Sequence, residues 1–394
     1  MSSLLWPGDH RAPTAMSDRA LVEAMVRVEQ SWLDVLASAG VAAPADLSLV
    51  ELDVARLAVD AESSGNPVVP LVAALRSATP EEASLWLHRG LTSQDVLDTA
   101  LVLCARDAVV AVRGDLAAQV GRLVDLATEH RDTPCIARTL TQPAVPTTFG
   151  AVVAGWLQGV LDAADALAGL RWPAQLGGAA GTLSALVELV GREAAHAVRR
   201  EHARALGLDL VPPWHTSRAP LTRVGDAVVT ATDAWGHVAR DVLALGRPEV
   251  GELRDGSGGG SSTMPHKANP TLPVLVRRAA LAAPALAATL HSASADQVDQ
   301  RADGGWHVEW ATLATLLRRT VVAASQTREL LDGLEVRPDA MAARLDSVRD
   351  DVLAEQRSMA ELAGRAPGPD PTGLAGDLVD EVLDRARRTF EEHS

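Results

Sequence analysis

The stretch Gly256–Pro270, GSGGGSSTMPHKANP, holds the residues of this chain best suited to chemistry. Glycine lets the backbone take left-handed conformations and approach a ligand closely, so a glycine-rich run reads as a loop able to fold over a site. Its polar groups come at the end: Ser261 and Ser262 carry hydroxyls, Lys267 a fixed positive charge and Asn269 an amide. Such donors can hold negative charge on a bound molecule, and a hydroxyl beside a cation can carry a proton. No Gly-Lys-Ser/Thr follows at the spacing of a nucleotide P-loop. A Gly/Ser run alone reads first as a flexible linker, but the tail MPHKANP is neither repetitive nor of low complexity.

A second set, His88-Arg89-Gly90-Leu91-Thr92-Ser93-Gln94-Asp95, stands just before an apolar helical pattern. Thr92 or Ser93 can cap that helix and Asp95 suits its positive end, which accounts for them structurally. The same free N–H groups and hydroxyls also make a ready carboxylate site. Three further stretches carry uncommon polar residues: Arg138-Thr139-Leu140-Thr141-Gln142-Pro143, Pro213-Trp214-His215-Thr216-Ser217-Arg218, and Gln300-Arg301 followed by Trp306-His307-Val308-Glu309-Trp310. Arginine presents a planar donor fork that matches a carboxylate. For His88, His215 and His307, structural satisfaction competes with a binding role.

These residues need positioning, and the elements around them read as helices. Leu21, Met25, Val28, Trp32 and Val35 recur at four- and three-residue spacing, with Ser17 as N-cap and Gly40 as a stop. From Val96 to about Arg131 the apolar spacing stays helical, and Leu272–Leu290 and Leu378–Phe390 read as further helices. Ser63–Pro67 is a turn, and the glycines of LGGAAGT at 176–182 serve close backbone packing. The uncharged stretch Thr139–Leu161 contains Pro143 and Pro146, which leave too short an apolar run to span a bilayer, so its second half reads as a buried helix. No alternation lasts long enough to suggest a sheet core.

The chain has 394 residues, enough for two or three domains, with 47% hydrophobic and 22% charged residues. Its formal net charge of −15 argues against nucleic acid or an anionic membrane as partner. Cations that meet an anionic ligand must then be concentrated locally. Cys104 and Cys135 form no disulfide framework and have no metal-ligand spacing, which suits a reducing cytoplasm and small core residues. The opening MSSLLWPGDHRAP lacks the basic and apolar regions of a signal peptide. The expectation is a cytoplasmic protein without metal or cofactor.

GSSTMPHKANP resembles the GSSxMPxKxNP signature of the fumarase/aspartase superfamily, lyases that make or break a bond β to a carboxylate. HRGLTSQDVLDTA is similar to the first signature of that superfamily and RTLTQPAVPTTFG to its second. PWHTSR and the Gln300–Trp310 stretch resemble its lactonising branch, the 3-carboxy-cis,cis-muconate cycloisomerases, although Gln300 stands where that branch has glutamate. The resemblance covers most of the chain. It implies an all-α, three-domain subunit: residues 1–91 N-terminal, 92–328 a long central helical bundle, and 329–394 an abbreviated C-terminal domain. It also implies a homotetramer in which each site draws on three subunits.

By the same resemblance the ligand is a small di- or tricarboxylate. Ser261 carries the proton α to a carboxylate, with Lys267 and Asn269 stabilising charge; one preorganised donor is worth roughly 3–4 kcal/mol in such a step. His88, Thr92, Ser93, Arg138, Thr139, Gln142, His215, Arg218, Ser262 and Arg301 are expected to bind substrate, Arg218 as a carboxylate clamp. Fumarases and adenylosuccinate lyases place histidine where this chain has Leu140. Hydroxide or an amine leaves with help from a general acid, whereas a carboxylate, with a conjugate acid of pKa about 4, leaves unaided. Taken with PWHTSR and WHVEW, Leu140 makes lactonisation of 3-carboxymuconate the reaction that the resemblance implies, although aspartases also lack the histidine. The alternatives are another elimination, such as a carbon–nitrogen lyase acting on a succinate derivative, or an inactive oligomeric member.

Overall fold

The computed structural model describes residues 3–256, 258–260, 263–264, 267–301 and 303–391. The fold is all-α, built on the helices Ser93–Glu129, Ala219–Leu245, Thr271–Ala295 and Gly304–Asp332. Chain contacts divide it into two compact units. The first comprises Met1–Ala111, Gly169–Asp226 and Pro284–Val321; the second comprises Val112–Ala168, Ala227–Ala283 and Val322–Ser394. Each unit thus gathers three stretches distant in sequence.

In the first unit the helix Asp18–Ser38 starts where the sequence predicts, with Ser17 Oγ accepting the Ala20 N–H at 3.2 Å. Its apolar face packs Trp32, Val35 and Leu36 on Leu176, Leu183, Leu186 and Val198. Burying a residue of this size fully contributes on the order of 1.5–3 kcal/mol. The Trp32 indole N–H also donates to the Arg89 carbonyl at 2.7 Å, anchoring the turn that leads to Thr92.

In the second unit the helix Phe149–Ala168 is the buried helix expected from its uncharged sequence, with Phe149, Val153, Trp156, Leu157 and Val160 in the interior. Tryptophan is buried without penalty only where its N–H finds an acceptor. Trp156 donates to Asp241 at 2.8 Å and Trp235 to Gln119 Oε1 at 2.8 Å. The helix Ala375–Glu391 docks here through Arg385, which pairs with Asp162 at 2.6 Å and Asp165 at 2.7 Å.

Among the described residues two short antiparallel strand pairs interrupt the helices. β1, Pro134–Thr139, pairs with β2, Gln142–Thr148, up to Thr139 opposite Gln142. The two residues between them, Leu140 and Thr141, both lie in the left-handed region, at φ 50° and 71°. That is the twist a two-residue hairpin turn requires, although Asn-Gly is its usual sequence. The second pair, Leu253–Arg254 with Glu335–Val336, stands just before the glycine-rich loop.

Candidate active site

The first signature folds as a helix N-terminus held by its own side chains. Thr92 Oγ1 accepts the Gln94 N–H at 3.2 Å, and the Asp95 carboxylate accepts the Thr92 N–H at 3.1 Å. Ser93 opens the helix Ser93–Glu129 and is half-buried. Asp95 has three more donors: the Gly177 and Gly178 N–H groups at 2.8 and 2.9 Å, and His215 Nε2 at 3.1 Å. One buried carboxylate therefore joins HRGLTSQD, LGGAAGT and PWHTSR. The close approach is what position 177 requires of glycine, since a Cβ there would collide with the His215 ring. Gln94 adds a bond from Nε2 to the His215 carbonyl at 2.9 Å.

Arg218 departs from its expected role. Its side chain is sealed from solvent and every donor is taken within the protein. Nη1 and Nη2 meet Asp98 at 2.7 and 3.0 Å, while Nε and Nη2 meet Glu309 Oε2 at 3.0 and 2.7 Å. Nη1 also reaches the His215 carbonyl at 3.2 Å. A fork so engaged has nothing left to clamp a substrate carboxylate; Arg218 is an internal counter-ion. Burial works to lower its pKa, and Asp98 and Glu309 more than reverse this, holding it above its ordinary value. Trp306 belongs to the same network, donating from its indole to Asp98 at 2.8 Å.

Nothing in the local sequence marks Asp98 or Glu309 for a role, and it marks Asp95 only as a helix-end charge. The available signal was the arginine itself, because a buried guanidinium needs carboxylates. His88, also in this unit, donates from Nδ1 to the buried Glu29 at 2.6 Å. Arg301 is exposed.

The second unit holds the other predicted residues. Arg138 pairs bidentately with buried Glu252, at 3.0 and 2.5 Å. Thr139 and Gln142 are exposed at the hairpin tip beside Leu140, whose side chain is 96% exposed. The glycine-rich stretch is closed at its base: the Gly259 and Asn269 N–H groups each donate to the other's carbonyl at 2.7 Å. Gly256, at φ 67°, stands where a Cβ would overlap the Gly333 carbonyl. These constraints separate the stretch from a free linker. Asn269 also reaches the Gly260 carbonyl at 3.4 Å, and Lys267 is exposed. Ser261 and Ser262 lie outside the described residues. Both cysteines are buried, and burial pushes each thiol up to about 12. Among the described residues no group of His, Cys, Asp and Glu is arranged to hold a metal.

A family model described as Lyase matches residues 14–283. The chain is 40% identical to nitrosuccinate lyase of Streptomyces davaonensis, over 90% of this chain and 79% of that protein. It is 35% identical to 3-carboxy-cis,cis-muconate cycloisomerase of Bradyrhizobium diazoefficiens, over 94% of this chain and 84% of that protein. Among solved structures, the 3-carboxy-cis,cis-muconate lactonizing enzyme from Pseudomonas putida superposes with a TM-score of 0.85. It is 30% identical, over 96% of this chain and 97% of that one.

Proposed function

Because this chain belongs to the fumarase/aspartase superfamily of lyases, we propose that it makes or breaks a bond β to a carboxylate in which the other partner is a stable anion. The observation that carries this reading is Leu140, an exposed hydrocarbon at the hairpin position where fumarases and adenylosuccinate lyases have histidine. No proton can come from it, which suits a group that departs or adds without one; aspartases also lack the histidine, so an amine leaving group stays open.

A carboxylate meets that condition. In the first reading the enzyme closes 3-carboxy-cis,cis-muconate to 4-carboxymuconolactone. One carboxylate oxygen forms a bond to a carbon of the diene, and the carbon α to another carboxylate takes a proton from the Ser261 hydroxyl. The resulting alkoxide is held by backbone N–H groups and Lys267 until solvent reprotonates it. Thr92 and Ser93 at their helix N-terminus bind a substrate carboxylate. The cycloisomerase relatives and the Pseudomonas putida fold neighbour support this reading.

The 40% identity to nitrosuccinate lyase supports a second. Nitrite, like a carboxylate, is the anion of an acid ionised at neutral pH. The same serine would then remove the proton α to a carboxylate while nitrite leaves the neighbouring carbon, giving an unsaturated dicarboxylate. PWHTSR and WHVEW do not choose between the two, since Arg218 is held by Glu309 and Asp98, and Trp306 by Asp98, inside the protein.

One pair of assays tests the proposal: loss of diene absorbance with 3-carboxymuconate, and nitrite release from nitrosuccinate. Turnover of only one substrate selects its reading, and Ser261→Ala should lower that rate by orders of magnitude. Folded protein inert toward both would overturn the two readings and favour a member without activity. A homotetramer with sites shared between subunits belongs to this proposal. Sedimentation as a monomer with full activity would remove it.

A further inference from the structure

The second unit contains a cavity of about 750 Å³ whose charge is unusual for so acidic a chain. It lies beside the β1–β2 hairpin, and four arginines reach it: Arg138, Arg240, Arg247 and Arg277. Its two acids are already occupied. Glu252 is buried under the bidentate Arg138 fork. Asp241 accepts the Trp156 indole N–H at 2.8 Å, stands 3.3 Å from His237 Nε2 and also lies in the field of Arg240. Arg240, Arg247 and Arg277 are exposed side chains, and among the described residues none is in ion-pair distance of a carboxylate. The remaining wall is largely apolar, including Ile136, Phe149, Val152 and Leu243.

Arginines lining one concave surface with few acids give it a positive potential, which suits an anionic ligand. The volume falls within the range of small-molecule sites, roughly 300–1,000 Å³. We propose that this cavity is a binding site for a small, multiply charged anion, a polycarboxylate or a phosphate, with Arg240, Arg247 and Arg277 as its cations. Arg138 contributes shape rather than donors, because Glu252 holds its fork. The site needs no turnover and stands independently of the reaction proposed above.

Calorimetric titration of the full chain at low salt tests it, with tricarballylate and inorganic phosphate as separate probes. Saturable binding of at least one is expected. Losing one charged hydrogen-bonding group should weaken it by about tenfold or more in Arg240→Gln, Arg247→Gln and Arg277→Gln. Arg→Lys at the same positions keeps the charge without the fork and should bind between wild type and Gln, which covers any Gln variant that fails to fold. Competition between the probes would mean that the cavity reads charge, and tricarballylate alone that it reads carboxylates. A Thr92→Ala/Ser93→Ala variant should keep the arginine-dependent binding event, whatever it loses at the site proposed for the reaction. Absence of saturable binding, or binding lost in that variant yet intact in the arginine variants, would overturn the proposal.

Discussion

Arg218 Nη2 donates to Glu309 Oε2 at 2.7 Å with both side chains closed off from water, and Asp98 holds the same guanidinium from another side at 2.7 Å. One cation thus serves two buried carboxylates. Arg218→Met should destabilise the protein by about 3–5 kcal/mol, because both carboxylates lose their counter-ion. Urea unfolding measures this; a loss below about 1 kcal/mol would show that the network contributes little.

Glu309 gives the same network a pH signature. Burial raises its carboxyl above the ordinary 4.5, against the Arg218 bonds that lower it. A raised carboxyl holds its proton more tightly in the folded protein than in the unfolded chain. The stability this supplies is complete below about pH 4.5 and is lost as pH rises through the raised value. Glu309→Gln should flatten that fall in a series of unfolding curves. An unchanged slope would assign it to other groups.

Asp95→Asn should raise KM for the carboxylate substrate more than it lowers kcat. An amide oxygen cannot hold the Gly177, Gly178, Thr92 and His215 donors together, so the Thr92–Ser93 end of the helix loses its alignment. Hydrogen bonds to a charged group contribute roughly 1.5–3 kcal/mol each. Steady-state kinetics checks the split, and an unchanged KM would separate Asp95 from substrate binding.

The hairpin tip invites a stabilising change. Leu140 and Thr141 occupy left-handed conformations that cost ordinary residues about 1–2 kcal/mol each. Leu140→Asn with Thr141→Gly, the sequence such a turn favours, should raise stability by about 1 kcal/mol. Since Leu140 cannot transfer a proton, kcat should stay within about twofold. A tenfold fall with a higher melting temperature would show that the apolar side chain at the hairpin tip shapes the site.

His202 supplies an acid-sensitive point in the first unit. It is fully buried beside Trp32, with Ser31 Oγ 3.0 Å from Nδ1, and burial lowers its pKa from 6.5 to about 4. The folded protein therefore refuses a proton that the unfolded chain accepts. Stability is complete above about pH 6.5 and is lost as pH falls towards 4, by about 3 kcal/mol at about 1.4 kcal/mol per unit. His202→Gln should remove that slope in chemical unfolding between pH 7 and 4; a slope that persists would belong to other residues.

Much of this protein was legible in its residues alone. The Ser17 cap, the helix beginning at Ser93 and the buried helix after Pro146 follow from periodicity and capping, which act over a few residues and are written locally. The β1–β2 hairpin was not legible, because Pro143 and Pro146 break the strand pattern and Leu140-Thr141 is not a usual turn pair. The role of Arg218 was decided only in three dimensions. Its partners lie 120 and 91 residues away, and the sequence offers many carboxylates without saying which will be enclosed with it. Whether an arginine meets substrate or stays an internal counter-ion depends on which acids the fold buries around it, and that depends on packing between distant helices.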